Sequence, residues 1–197
     1  MRNYRQAFLF LIAFWFYNDG IGTIMVMAVI FGTEIGIGQD HLIGAILAVQ
    51  LIGIPFTILF GKLAAKTNVK RAIYLGLLAY TFISIGGYFL QSALHFWILA
   101  LIVGMVQGGT QALSRSVFGQ MTPKKKSAEF FGFFDVSQKF SGILGPLVFG
   151  LIGQMTGSSR LSIFALVIFF LGGMYILSKV NIELGIKAAT DADTHDN

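Results

Sequence analysis

Hydrophobic residues occupy most of the chain in six long runs that short polar stretches separate. The runs cover approximately residues 6–33, 42–62, 70–90, 94–118, 128–154 and 159–180. Each has the roughly 20 residues that an α-helix needs to cross the hydrocarbon core of a bilayer. The pattern predicts an all-α membrane protein with a six-helix transmembrane domain at 1–181 and a disordered, polar, cytoplasmic tail at 182–197.

The basic residues indicate how these helices are oriented. Of the fourteen Lys and Arg residues, only Arg160 falls on one side of the predicted membrane, and only Lys139 lies deep within a span. The others lie at or near the opposite side, and the excess of Lys and Arg in cytoplasmic loops therefore predicts that both termini are cytoplasmic. The net charge of +5 is thus a topology signal, and we expect no nucleic-acid partner.

Composition supports a membrane protein and excludes some chemistry. The chain is 55% hydrophobic and 12% charged, whereas soluble domains carry about 25% charged residues. It has 24 Gly, a residue that lets membrane helices approach closely, and no Cys, so disulfides and Cys-ligated metals are excluded. We expect neither a metal nor a cofactor.

Lys139 is the most informative residue, because it lies near the middle of the fifth run with no polar stretch leading it to water. An ionised side chain at the centre of a membrane helix costs about 2.5–3.5 kcal/mol on insertion scales. Such residues tend to face a water-filled cavity or a partner, and they mark substrate or ion pathways.

Other polar residues within the spans fall on helices one, two, four and five, whereas helices three and six carry few. On helices four and five they recur at helical spacing and form one stripe on each. These residues predict a water-filled cavity that binds a substrate or coupling ion, lined by Asn18, Asp19, Gln50, Gln107, Gln111, Asp135, Gln138 and Lys139.

Several of these residues also have a structural interpretation. Gln50 and Ser114 would be hydrogen-bonded between helices, Asp135 and Lys139 would form an ion pair within one helix, and Asp19 would be a protonated carboxyl bonded to a neighbouring helix. Gly104 and Gly108 form a G-x-x-x-G pattern that predicts a tight helix crossing. Bends at mid-depth are expected beside Asp19, at Gly20 and Gly22, and near Pro146.

The number, orientation and polarity of the spans resemble one six-helix half, a 3+3 repeat, of a major facilitator superfamily transporter. In that family helices one, two, four and five of each half line a central cavity. The loop GKLAAKTNVKR at 61–71 is similar to the family's cytoplasmic signature G-x-L-a-D-R-x-G-R-R/K, with Gly61, Lys66, Lys70 and Arg71 at matching positions. Ala65 stands where the family has an acidic residue, so the gating ion pair is not implied here.

A narrower resemblance covers residues 108–146. The segments GGTQALSRSVFGQMTP and EFFGFFDVSQKFSGILGP resemble the autophagy-related vacuolar amino-acid effluxers and their bacterial relatives. The matching positions include Gly108, Ser114, Arg115, Glu129, Gly145 and Pro146. Together the two resemblances identify the chain as the C-terminal half of such a transporter in a bacterial cytoplasmic membrane.

The resemblance implies a secondary active transporter that moves a small solute by alternating access, with protons as coupling ion and amino acids as one solute class. A lone half would expose its polar face to lipid. We therefore expect the chain to be part of a longer protein whose N-terminal half covers that face, or to associate with a second copy of itself.

An enzyme and a membrane scaffold are the alternatives to a transporter. An intramembrane aspartyl protease would use Asp19 and Asp135, but Phe134 stands where such enzymes have Gly before the aspartate, and no Pro-Ala-Leu motif exists. Metalloprotease, nucleotide-binding and triad motifs are absent, so we expect no enzyme. The alternative to a transporter is a membrane scaffold or assembly subunit, which would have no use for charges inside the membrane.

Overall fold

The computed structural model describes residues 4–140 and 142–195, and the part of the chain it describes contains helices and no strand. The helices are α1 (Arg5–Glu34), α2 (Gln39–Lys66), α3 (Val69–Tyr88), α4 (Ala93–Gln120), α5 (Ser127–Phe140), α6 (Leu144–Thr156), α7 (Ser159–Ala165), α8 (Val167–Ser178) and α9 (Ile182–His195). A 3-10 turn, Lys124–Lys126, precedes α5. Six segments of the described chain are long and apolar enough to cross a membrane, with α5 and α6 forming the fifth and α7 and α8 the sixth.

Local sequence explains where the helices begin and end. Asn68 begins α3 by accepting a hydrogen bond from the Lys70 N–H (2.8 Å), and Ser92 begins α4 by accepting one from the His95 N–H (3.4 Å). Gly157, which follows α6, has a φ of +66°, a conformation that glycine adopts without steric cost. These ends set short connections, so consecutive spans run antiparallel.

The bundle is organised around α1, the most buried span. Phe10, Phe14, Tyr17 and Ile21 lie on one face of α1 and are essentially inaccessible. α1 packs along α8 and contacts α4, α5 and α6, while α2 packs along α4. The Asn181 N–H donates to Gln6 Oε1 (2.8 Å), so the start of α1 and the end of α8 lie at the same end of the bundle.

Glycines allow the close crossing of α2 and α4. A Cβ at Gly104 would lie 3.0 Å from the Val49 carbonyl oxygen, and one at Gly108 would overlap Thr57 Oγ1. The tight crossing predicted from the G-x-x-x-G pattern is therefore confirmed.

The predicted disorder of the tail at 182–197 differs from the structure, because residues 182–195 form α9, while residues 196–197 lie outside the described part. Asn181 Oδ1 accepts from the Leu184 N–H (3.0 Å) and starts the helix. Asp193 accepts from the backbone N–H of Lys124 (2.9 Å) and ties the helix to the loop before α5. Ile182, Ile186 and Ala189 lie on one helical face that packs on the bundle, which stabilises a segment whose composition suggested disorder.

Candidate functional site

The polar face of α5 is open. Asp135, Gln138 and Lys139 are all exposed, whereas Phe130 and Phe134 on the opposite face are buried against α1 and α4. Lys139 lies near the middle of the span Lys124–Thr156. Its ammonium makes no ion pair or hydrogen bond with a residue that the structure describes. The open face of this half therefore presents a free positive charge at mid-membrane depth.

Asp135 pairs with Arg115 of α4, not with Lys139 of its own helix. The Arg115 guanidinium lies 3.7 Å from the Asp135 carboxylate and also lies over the rings of Phe131 and Phe134, at 5.5 and 5.8 Å from their centroids. The ion pair between Asp135 and Lys139 considered from sequence is therefore wrong. Since Asp135 is engaged by Arg115, it does not neutralise Lys139.

Hydrogen bonds between side chains join α1 to α4. Ser114 Oγ donates to the Thr110 carbonyl (2.7 Å) and accepts from the Tyr17 hydroxyl (2.6 Å). Gln111 Nε2 donates to Asn18 Oδ1 (3.3 Å). The interhelical interpretation of Ser114 is thus confirmed, and Asn18 and Gln111 form a second such link in which Gln111 stays half-buried.

Asp19 lies behind the open face rather than on it. Its side chain is 1% exposed, and neither carboxylate oxygen makes a hydrogen bond of ordinary geometry with a described residue. The carboxylate faces the backbone N–H groups of Gly145 and Ile143, at the start of α6. The sequence suggested that Asp19 is bonded to a neighbouring helix. The structure places its carboxylate against the start of α6, without a hydrogen bond of ordinary geometry to a described residue.

The fifth span is interrupted next to the segment of α1 that carries Asp19. α5 ends at Phe140, α6 begins at Leu144, and the Ile143 N–H donates to the Phe140 carbonyl, three residues earlier in the chain (3.2 Å). Pro146 explains the break, because it has no N–H to donate and its ring clashes with the carbonyl four residues earlier. Where a bend was expected near Pro146 the helix is interrupted, whereas α1 continues as a helix through Gly20 and Gly22.

Gly145 lets the first turn of α6 lie directly on α1. A Cβ there would come within 3.0 Å of the Asp19 carbonyl oxygen and of Thr23 Cβ, and it would overlap Thr23 Oγ1. Thr23 Oγ1 itself donates to that same carbonyl (2.7 Å). The contact holds the break in the fifth span against the segment of α1 that carries Asp19.

We predict that Gly145→Ala destabilises the protein while Gly150→Ala on the same helix does not. A Cβ at Gly150 meets nothing within 4 Å. Overpacking costs about 1–3 kcal/mol, so the melting temperature in detergent should fall by about 3–10 °C for Gly145→Ala. Adding Thr23→Ala, which removes the overlapping hydroxyl, should restore part of the loss. Equal melting temperatures for both glycine variants would contradict the close contact.

The two remaining predicted cavity residues occupy different environments. Gln50 on α2 is exposed. Gln107 on α4 is half-buried, and its Oε1 is buried without a hydrogen-bond partner among the described residues. An amide that lacks a partner in a buried position is available to a ligand donor.

The signature-loop residues lie at the end of the bundle where α1 begins and α8 ends. Gly61 and Lys66 are exposed on the last turns of α2, and Arg71 is exposed on α3. Lys70 Nζ donates to the carbonyls of Val180 (2.7 Å) and Ser178 (3.1 Å). Lys70 thereby joins α3 to the end of α8. The last carbonyl oxygens of a helix have no partner within it, and a Lys side chain can satisfy them.

Sequence reasoning missed Trp15, Tyr17 and Thr23. Tyr17 bonds Ser114, Thr23 contacts Gly145, and the Trp15 indole N–H is buried without a partner among the described residues. Trp15 and Thr23 lie four residues before and after Asp19, on the same face of α1. This spacing is the feature of the sequence that could have identified them as neighbours of Asp19. Glu129, from the motif, is exposed at the start of α5, and no group of His, Asp or Glu suited to a metal occurs among the described residues.

Six apolar spans, with the polar residues inside them concentrated on α1, α2, α4 and α5, define one half of a major facilitator superfamily transporter. The chain belongs to the family described as "Vacuole effluxer Atg22 like", whose model matches residues 1–190. It is 41% identical over its whole length to the "Uncharacterized MFS-type transporter YxiO" of Bacillus subtilis, covering 45% of that protein. It is also 29% identical to "Autophagy-related protein 22" of Eremothecium gossypii, with 92% of this chain matching 38% of that protein.

A third relative also matches this chain over less than half of its own length. "Autophagy-related protein 22" of Vanderwaltozyma polyspora is 30% identical, over 94% of this chain and 38% of that protein. The chain therefore spans less than half the length of these relatives, and it matches their C-terminal half. Residues that act in the other half of such proteins are outside this chain.

Proposed function

We propose that this chain is the C-terminal half of a secondary active transporter that moves a small solute across the cytoplasmic membrane by alternating access, with both termini cytoplasmic. Amino acids are one class of solute that suits it. The observation that carries the proposal is the exposed ammonium of Lys139 near the middle of the fifth span, which makes no ion pair or hydrogen bond with a residue that the structure describes. A chain retains a charge there at a cost of about 2.5–3.5 kcal/mol, so the charge is expected to have a function.

The polar groups on α4 and α5 suit a solute with a carboxylate and an amine. The Lys139 ammonium would bind the carboxylate, because charge-assisted hydrogen bonds are strong where water is scarce. The amide oxygen of Gln107, which has no partner among the described residues, would accept from the solute's amine. Arg115 and Asp135 neutralise each other, so the net charge that they add near this site is small.

The interrupted fifth span supports movement as well as binding. Membrane transporters commonly place substrate sites where helices are broken, because the break frees backbone groups and allows segments to move separately. Lys139 lies on the last turn of α5, directly before the break between Phe140 and Leu144. A solute bound at Lys139 would therefore contact the part of the fifth span that is best able to rearrange.

Cysteine accessibility tests the water-filled face. The experiment uses the transport-competent protein, in which this half is joined to or associated with a second half. Cysteines at Asp135, Gln138 and Lys139 should react with a membrane-impermeant thiol reagent. Cysteines at Ile83, which is buried, and Ile168, which is 68% exposed but on the apolar α8, should not. Equal protection at all five positions would contradict a water-filled face.

Protection by solute separates a transporter from a scaffold. A mixture of amino acids should slow the reaction of the Gln138→Cys variant, since a bound solute at Lys139 would cover the neighbouring turn of α5. A scaffold has no solute site, so its reaction rates should not change with any of a broad set of small solutes. A scaffold should also keep full cellular function after Lys139, Asp19 and Gln111 are all made apolar. These two results together would favour the scaffold.

A further inference from the structure

Asp19 is a buried carboxylate that the binding of solute at Lys139 does not use. It is 1% exposed, and both oxygens lack a hydrogen bond of ordinary geometry to the described residues. A buried ionised group without a partner is costly, and it tends to be neutralised or to find a compensating partner. Asp19 lies near the middle of α1, so a change in its charge would affect how the neighbouring helices pack on α1.

The surroundings of the carboxylate are a helix N-terminus. The backbone N–H groups of Gly145 and Ile143 face it. The Ile143 N–H also donates to the Phe140 carbonyl, whereas Gly145 lies in the first turn of α6, where N–H groups carry a partial positive charge and lack partners within the helix. α6 is 13 residues long, so its N-terminus carries the partial positive charge of a helix dipole. An ionised Asp19 attracts this end of α6, and a protonated Asp19 does not.

Other charges do not compete with that attraction. α6 has no charged residue, and no ion pair or hydrogen bond of ordinary geometry joins the Asp19 carboxylate to a described side chain. Tyr80 on α3 is fully buried, and its hydroxyl has no partner among the described residues, but a phenol is uncharged between pH 5 and pH 8. The other titratable groups on the elements packed against α1 are engaged, exposed or far along their helices: Asp40, His41, Lys62 and Lys66 on α2, Lys70, Arg71, Tyr74 and Tyr88 on α3, His95 and Arg115 on α4, Glu129, Asp135 and Lys139 on α5, Tyr175 on α8, and Glu183, Lys187, Asp191 and Asp193 on α9.

The donor set favours a proton over a metal ion. Hard cations such as Na⁺ or Mg²⁺ need several oxygen ligands. Here the carboxylate faces N–H donors, and the one nearby hydroxyl, Thr23 Oγ1, donates its proton to the Asp19 carbonyl. No metal-binding group of acidic residues occurs in the described part of the chain.

We propose that Asp19 is the proton-binding site of this half and that its ionised form holds the first turn of α6 on α1. Proton binding to a carboxylate oxygen removes the charge, frees α6 at the break, and so links protonation to rearrangement of the fifth span beside Lys139. The proposal deepens the proposed function and rests on it, since the proton is assigned as the coupling ion of the same transporter.

The contact between α6 and α1 can be followed without any change at Asp19. Thr23 is fully buried beneath Gly145, so a Thr23→Cys variant reports on release of α6. Its reaction rate with an impermeant thiol reagent is divided by that of Gln50→Cys, an exposed reference, to cancel the pH dependence of thiol reactivity. This ratio should rise about tenfold from pH 8 to pH 5, a factor within the range of a charge at a partly buried helix end.

Asp19→Asn should abolish that pH dependence, because asparagine has the size of aspartate but no titratable charge. The Thr23→Cys ratio should then be high and equal at both pH values. In proteoliposomes, Asp19→Asn should reduce accumulation driven by a pH gradient at least about tenfold more than it reduces solute exchange at equal pH, the pattern of a lost coupling ion. Asp19→Glu, which keeps a titratable group, should retain part of the gradient-driven accumulation.

Each result separates this inference from the proposed function. A flat Thr23→Cys ratio with Asp19 present, or a pH-dependent ratio with Asn at this position, overturns the inference whether or not solute is transported. Gradient-driven accumulation that survives Asp19→Asn in full also overturns it. Failure of the unchanged protein to exchange any solute contradicts the proposed function alone, since the thiol ratio is measured without solute.

Discussion

Replacing Lys139 by methionine should reduce transport about ten- to a hundredfold while the protein still inserts and folds normally. Hydrogen bonds to charged groups contribute about 1.5–3 kcal/mol, and the solute carboxylate would lose such a bond when the ammonium is removed. Lys139 has no partner among the described residues, so its loss leaves no protein group unsatisfied. Removing the charge should if anything ease membrane insertion.

The measurement is solute flux in proteoliposomes, normalised to the amount of folded protein. Lys187→Met is the matched control, because Lys187 is exposed on α9, outside the spans, and should transport normally. Lys139→Arg keeps the charge in a different shape and should retain more flux than Lys139→Met. Flux at the unchanged rate in Lys139→Met would make the charge structural and would remove the observation on which the proposed function rests.

Span number and the polar face of α5 could be predicted from sequence because both depend on local patterns. Hydropathy over about 20 residues detects a span, and the spacing of Asp135, Gln138 and Lys139 places them on one helical face whatever that helix packs against. The structure has six apolar spans and exposes these three residues. Their role in binding stays a prediction.

Contacts between helices could not be predicted in the same way. The pairing of Arg115 with Asp135 depends on how α4 and α5 cross, and the nearest opposite charge in sequence, Lys139, was the wrong partner. The burial of Asp19 beneath α6 likewise depends on Gly145, more than 120 positions away in the chain, which permits the close approach. Pro146 indicated a bend, but the effect of a proline falls on the turn before it, so the helix ends at Phe140.

The tail shows how composition alone misleads. Its acidic residues suggested disorder, while the apolar positions Ile182, Ile186 and Ala189 recur at helical spacing behind the cap residue Asn181. A short amphipathic helix is stable when its apolar face packs on other elements. The bundle supplies that surface at Met121, against which Gly185 lies closely.

If this chain is expressed alone, it should associate through its polar face. The residues that would lie at that interface are Gln50 on α2, Gln107 on α4 and the open side of α5 with Lys139, whereas Asn18 and Asp19 are buried within the chain. Lipid cannot satisfy these polar groups, and a charge at the helix centre costs about 2.5–3.5 kcal/mol per copy. A second copy can cover them, because the two halves of such transporters are related by an axis along the membrane normal.

The expected product is a closed two-fold dimer with little transport activity, since one half's specialised residues would be duplicated and the other's absent. Because the chain has no Cys of its own, single cysteines report the interface directly. Gln50→Cys and Gln107→Cys should crosslink between copies in a mild detergent. Ile168→Cys, exposed on the apolar surface of α8, should not crosslink. A monomer in mild detergent, or a crosslink at position 168, would show that the lone half covers its polar face in another way.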